Sequence, residues 1–398
     1  MTKRTIACYL VMQFLFSLGM SYIGATYVLF LMHFGLNTLE VNLVNVSFFL
    51  TRIICEVPTG ALADSVGRKK TVMFACIFLA IGKFFYAQSS TFWQFVIAEV
   101  LAGIGYTLVS GAFQAWLVDR LKEQKYEGNI AKVFTGERIV NHVAMGIGAI
   151  IGAYAAVEDI TMPWIMGGYT FLVTLVLVGI LMKEDRTKKR GTEIKSIAHG
   201  FCVTKAIALK GMQYARSTPA VLFVIILGSI QGFALQSPNM QWQPFFDDML
   251  HNQPVLGYMK IGINVFMLIG VSLAVQFSLL MRKQEHAMNA TQMIIGFGLV
   301  GTAVLVTNPA LSISAFMLHE IGRGLFIPIK DAYLNKHIPS SERATVLSCY
   351  AMGNEVGGLF GLLVSGYCAL MWGISSMFVI SGLAIIVGTA FAMKYMKK

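Results

Sequence analysis

The sequence predicts an all-α membrane protein of twelve transmembrane helices in two six-helix, pseudo-symmetric halves, on three observations. First, its 398 residues are 56% hydrophobic and 13% charged, with mean hydropathy +0.67, whereas soluble domains carry about 25% charged residues. Second, the apolar residues come in blocks of about 20, the length that crosses a bilayer as a helix. Third, a polar stretch from Lys183 to Arg216 divides those blocks six and six. Soluble enzymes, disordered chains and disulfide scaffolds are thereby excluded. Cys8, Cys55, Cys76, Cys202, Cys349 and Cys368 have no paired spacing, sit mostly in apolar runs and read as small buried hydrophobes.

In order, the blocks are residues 5–32, 41–63, 71–88, 93–118, 133–156, 163–183, 219–242, 257–281, 289–307, 310–334, 344–369 and 372–394. The first outruns the ~7–15-residue core of a signal peptide and has no small-residue cleavage site, so it reads as a retained span. The halves are residues 1–183 and 217–398, joined by a linker over 184–216. Within the linker a charge run (Lys183 to Arg190) precedes a stripe of Ile194, Ile197, Phe201 and Ala208. That stripe suits a helix lying in the membrane interface as well as it suits an ordinary linker.

The net charge of +11 points either to a nucleic-acid partner or to topology, and its distribution decides between them. Loops near 33–40, 87–92, 156–162, 243–256, 308–310 and 370–371 contain no Lys or Arg. The alternate segments hold Lys3, Arg4, Arg68, Lys69, Lys70, Arg120, Lys122, the rich linker, Arg282, Lys283, Lys336, Arg343 and Lys398. This is the positive-inside pattern, and it predicts a multi-pass protein of the cell membrane with both termini in the cytoplasm. The basic residues then meet anionic lipid headgroups, and no nucleic acid is expected.

Internal similarity points to duplication. Glu99-x-x-x-Gly103 recurs as Glu320-x-x-x-Gly324, and Gln114-Ala115-Trp116-Leu117 parallels Asp331-Ala332-Tyr333-Leu334. Ala144-Met145-Gly146 recurs as Ala351-Met352-Gly353, each followed by a glycine-rich face (Gly148 and Gly152; Gly357, Gly358 and Gly361). Each match joins spans that six-plus-six symmetry pairs, and repeated halves with a site at their interface mark secondary transporters.

Between the second and third spans lies Gly60-Ala61-Leu62-Ala63-Asp64-Ser65-Val66-Gly67-Arg68-Lys69-Lys70. It resembles the cytoplasmic signature of the major facilitator superfamily, departing from it at Ser65, where a basic residue is usual. The residues themselves suggest a latch. Gly60 would let two helices approach closely, and Gly67 suits a tight turn. Asp64 would accept from a helix N-terminus near Ala344 to Leu347, and Arg68 would pair with Asp119. Topology alone would need neither Asp64 nor the glycines. The resemblance implies the superfamily fold, alternating access, and a latch on the outward-facing state made by Gly60, Asp64, Gly67, Arg68 and Asp119. The runs Ser110 to Asp119 and Ser341 to Ser348 look like a bacterial branch of exporters and permeases. Proton-coupled drug antiporters of the family carry glycine-proline-glycine in the fifth span; here Gly146-x-Gly148 keeps the small residues without the proline.

Ionisable groups within spans cost several kcal/mol unless a cavity or partner receives them, so each is a functional candidate. Glu320 and Arg323, three apart, share a helix face and can pair, whereas His319 is expected to point elsewhere. Glu355, on the eleventh span, would compete for Arg323. Glu320, Arg323, Glu355 and Glu99 are therefore the candidate proton or substrate-charge site, with a permanently paired network as the alternative for the first three. Glu99 shares a stripe with Gly103, Tyr106 and Ser110, either as a cavity wall or as an outer-leaflet residue reaching the surface. Arg52 and Glu56 should pair, His142 should pack by a hydrogen bond, and Lys83 and Lys260 should reach water at outer span ends. Tyr22, Tyr27, Arg52, Glu56, Gln231, Gln236 and Asn239 are candidates for cavity lining.

No P-loop, zinc-ligand spacing or nucleophile elbow is present, so no enzyme, no metal and no cofactor is expected. The expectation is a monomeric secondary transporter moving a small organic solute, with protons as coupling partner and export of the multidrug or metabolite efflux type as the leading reading. The alternatives are an uptake permease for a nutrient or metal chelate, by symport or uniport, and a nontransporting membrane sensor or partner subunit.

Overall fold

A computed structural model describes residues 2–183, 211–281, 283–339 and 342–396, which are helical and contain no strand. Twelve helices or joined helix pairs are long and apolar enough to cross a membrane. Most of the 184–216 linker, with its candidate interfacial stripe, lies outside the described residues, as does the side chain of Asp64.

The helices are α1 (Thr2–Ser21), α2 (Tyr27–His33), α3 (Thr38–Val66), α4 (Arg68–Gln88), α5 (Phe92–Val109), α6 (Ala112–Glu123), α7 (Ile130–Glu158) and α8 (Met162–Leu181), then α9 (Pro219–Ala234), α10 (Gln236–Leu250), α11 (Gln253–Leu280), α12 (Gln284–Val304), α13 (Pro309–His337), α14 (Arg343–Trp372) and α15 (Ile374–Met396). The chain forms two compact units: Met1–Gly35 with Val44–Gly200 and Asn252–Ile261, and Leu36–Leu43 with Phe201–His251 and Gly262–Lys398.

Each unit repeats one packing scheme. In the first, α1 packs on α7 and α8, and α4 on α5 and α8. In the second, α9 packs on α14 and α15, and α12 on α13 and α15. The glycine faces explain two of these matched contacts. A Cβ on Gly152 of α7 would lie 1.8 Å from the carbonyl oxygen of Tyr22, and one on Gly361 of α14 would lie 2.2 Å from that of Phe233. Backbones this close exclude every other residue.

Three predicted spans are not continuous helices. The first breaks after Ser21, where Gly24 N–H donates to the Ser21 carbonyl at 2.8 Å and Tyr27 N–H to that of Ile23 at 2.9 Å. The fourth breaks at Ser110 and Gly111, the glycine at φ +73°. In the seventh, Leu235 separates α9 from α10. Apolar blocks of suitable length carry no mark of such breaks, because hydropathy is blind to backbone angle.

The first unit centres on Tyr9, Met12, Phe16, Trp116 and Phe171, the second on Phe223, Val224, Phe326 and Tyr333. Val176 and Ile180 of α8 and Val275 and Leu279 of α11 are 58%, 67%, 67% and 75% exposed. Each pair forms an apolar strip one turn apart, the side a membrane helix turns toward lipid.

Candidate functional site

In the first unit, Glu99 of α5 is buried, 6% exposed, and the break after α1 determines what surrounds it. The turn over residues 22–26 starts α2 at Tyr27, whose hydroxyl donates to Glu99 Oε1 at 2.7 Å. Tyr86 of α4 donates to the same oxygen at 2.8 Å. Among the described residues no donor reaches Oε2. Tyr86 stacks on Trp164 of α8 with centroids 3.8 Å apart and planes at 11°, and Lys83 Nζ stands 4.6 Å from the Trp164 ring centroid. Lys83 is 5% exposed. It does not reach water at a span end as its position in the sequence suggests; α4 packs on α5 and α8, which enclose it.

Tyr27, Lys83, Tyr86, Glu99 and Trp164 line one cavity of about 200 Å³, completed by Asn45 and apolar side chains such as Phe48 and Leu79. No ion pair joins Lys83 to Glu99, so carboxylate and ammonium stay more than 4.0 Å apart within it. The outer-leaflet alternative for Glu99 is thus replaced by a cavity wall, because two phenols and a lysine from neighbouring helices cover it.

The matching position of the second unit is organised differently. Glu320 of α13 is 2% exposed, and Arg323 Nη1 donates to its Oε1 at 2.8 Å. His319, expected to point elsewhere, is fully buried with Nε2 3.4 Å from that oxygen, and its Nδ1 is held by the Phe316 carbonyl. Glu355 is half-buried on α14 and has no ion pair among the described residues. The expected competition for Arg323 does not arise here, since α13 packs chiefly on α12 and α14 on α9.

A buried carboxylate that the sequence reading passed over is Glu137 of α7. It accepts from the Tyr9 hydroxyl at 2.5 Å, from Gln13 Nε2 at 3.4 Å and from Gln114 Nε2 at 3.3 Å. The signal for it was the pair Tyr9 and Gln13, one turn apart in an apolar span with no purpose unless another helix supplies an acceptor.

The remaining candidates divide. Arg68 Nε lies 4.0 Å from Asp119 Oδ2. Gly67 takes φ +99° between α3 and α4, and Lys69 Nζ donates to the Gly179 carbonyl at 2.6 Å. At Gly60, however, an added Cβ meets nothing within 4 Å, so among the described residues it permits no close helix approach. Arg52 does not pair with Glu56: its guanidinium carbon sits 5.1 Å from the Tyr106 ring centroid and 5.9 Å from that of Phe48, while Glu56 is exposed. Tyr22 is buried with its backbone against Gly152. Gln231 is buried with Nε2 unbonded among the described residues, Gln236 Nε2 donates to the Gly232 carbonyl at 3.1 Å, and Asn239 is exposed. No cluster of metal-ligating side chains occurs among the described residues.

Twelve candidate spans, two units with matched packing, and buried charges beside a cavity fit a membrane transporter. The profile of the Major Facilitator Superfamily matches residues 9–309 and 290–398, and the chain belongs to that family. It is 21% identical to the MFS-type transporter YxaM of Bacillus subtilis (strain 168) over 373 residues, 93% of this chain and 90% of that protein. It is 21% identical to the quinolone resistance protein NorA of Staphylococcus aureus (strain MRSA252) over 221 residues, 55% and 54% of the two chains. Among solved structures, the nucleoside transporter NupG superposes with TM-score 0.78 at 15% identity, covering 99% of each chain.

Proposed function

We propose that the protein exports a small organic solute in exchange for protons by alternating access, with both termini cytoplasmic, and that Glu99 is the carboxylate through which the two are coupled. The observation that carries this is Glu99 itself: buried, with one oxygen held by two phenols and, among the described residues, no donor to the other and no cation within ion-pair distance. A carboxylate so placed holds either a proton or a positive group of the solute, and competition between them makes the exchange obligatory. On the more acidic outer side it takes the proton and releases the solute; on the inner side the order reverses. Glu320 is a weaker candidate for the same role, because Arg323 already neutralises it at 2.8 Å. Likeness to a resistance protein supports the outward direction.

The test is proteoliposomes holding a pH-sensitive dye, challenged with a panel of small zwitterions, amines and carboxylates. The wild type should move protons in response to at least one compound. Glu99→Gln, shown to be folded by thermal melting, should abolish that response. Undiminished proton movement in Glu99→Gln, or none in the wild type across the panel, overturns the proposal.

A further inference from the structure

We infer that the Glu99 cavity takes a small zwitterion, a solute carrying an ammonium and a carboxylate on an aromatic or apolar body. This deepens the transport reading above and rests on it for the claim that the bound solute is the one transported. Two buried ionisable groups, an acid and a base, share a cavity without pairing. Lys83 and Glu99 are 5% and 6% exposed, yet no ion pair joins them. Each is covered on one side: the phenols of Tyr27 and Tyr86 saturate Glu99 Oε1, and the ring of Trp164 faces the Lys83 ammonium. On the other side neither has a counter-charge within ion-pair distance among the described residues, the costly condition for an ion out of water.

A group placed between them has to satisfy both. A solute with an ammonium alone would answer Glu99 and bring a second cation to Lys83. One with a carboxylate alone would answer Lys83 and crowd Glu99. A zwitterion answers both at once, its ammonium on Glu99 Oε2 and its carboxylate on Lys83 Nζ. The rest of the lining suits the body of such a molecule, for Phe48 and Leu79 are apolar and the stacked Tyr86 and Trp164 are flat and rigid. The volume of about 200 Å³ is below the about 300–1,000 Å³ of pockets for drug-sized ligands, so the solute must be small.

The experiment measures equilibrium binding to the purified full chain in detergent by calorimetry, with thermal melting to verify folding. The probes are three matched series: glycine, leucine and phenylalanine; the amines lacking their carboxylates; and the acids lacking their amines. At least one zwitterion should bind the wild type about tenfold or more tighter than both of its single-charge relatives. Glu99→Gln should remove its advantage over the acid, Lys83→Met its advantage over the amine, and Lys83→Arg should keep most of both. Equal or tighter binding of the single-charge compounds, or no zwitterion binding at all, overturns the inference, and the wild-type ranking alone suffices if a variant fails to fold. The outcomes separate from the transport test. Proton movement lost in Glu99→Gln with no preference for zwitterions leaves the exporter standing without this substrate class. Zwitterion binding without coupled proton movement leaves the site standing without the exporter.

Discussion

Exchanging Arg323 for methionine is expected to destabilise the protein by about 3–5 kcal/mol, the cost of leaving one partner of a buried ion pair uncompensated. Glu320 is 2% exposed, its Oε2 has no partner among the described residues, and its remaining neighbour, His319, is itself fully buried. Removal of Arg323 therefore leaves a carboxylate that can only protonate or open the packing of α13 on α12. Glu320→Gln should be milder, because Arg323 is 24% exposed and can turn to solvent or headgroups. The double exchange, Glu320→Gln with Arg323→Met, should recover most of the loss. Thermal melting in detergent, followed by size-exclusion fluorescence, measures the series. A double variant as unstable as Arg323→Met would show that the pair is not the unit whose breakage matters.

The second large effect concerns two glycines whose sequence contexts suggest the opposite ranking. Gly152→Ala should cost at or above the ~1–3 kcal/mol typical of overpacking, because its Cβ would lie 1.8 Å from a backbone oxygen that no side-chain rotation can move. Gly60→Ala should be neutral or gain up to about 1 kcal/mol, since an open helical glycine is a poorer helix former than alanine. Gly60 sits in the motif that marks the family, yet within α3 an added methyl meets nothing within 4 Å. The same melting assay decides: a wild-type melting temperature for Gly152→Ala would mean that α7 separates easily from the turn that follows α1.

The ranking of these two glycines is not legible in their sequence contexts, whereas the larger pattern is. Span number, the six-and-six division and the matched Glu99 and Glu320 all follow from hydropathy and spacing, which a bilayer enforces strictly. The depth of a side chain does not. Lys83 stands near the C-terminal end of α4 and reads as a snorkelling residue; only the packing of α5 and α8 over it makes it buried. Tyr27 reads as a cavity-lining candidate, but nothing in the spacing shows that the turn at residues 22–26 sets its hydroxyl on Glu99. Arg52 and Glu56 have the spacing of a helical pair, but stacking on Tyr106 and Phe48 won the arginine. Spacing along a helix says which groups can meet, and neighbours that the spacing cannot name decide whether they do.

The presence of Lys83 in the same cavity as Glu99 has a consequence for the energy source. If a zwitterion is exchanged for a proton as proposed above, the loaded carrier, with Lys83 and Glu99 both ionised, has no net charge in the cavity and crosses the membrane potential without electrical work. Once Glu99 holds a proton instead, Lys83 leaves the returning carrier with one positive charge, worth about 2.3 kcal/mol per 100 mV. An interior-negative potential pulls that form inward. The voltage across the membrane would then drive the solute outward even where the proton concentrations on the two sides are equal.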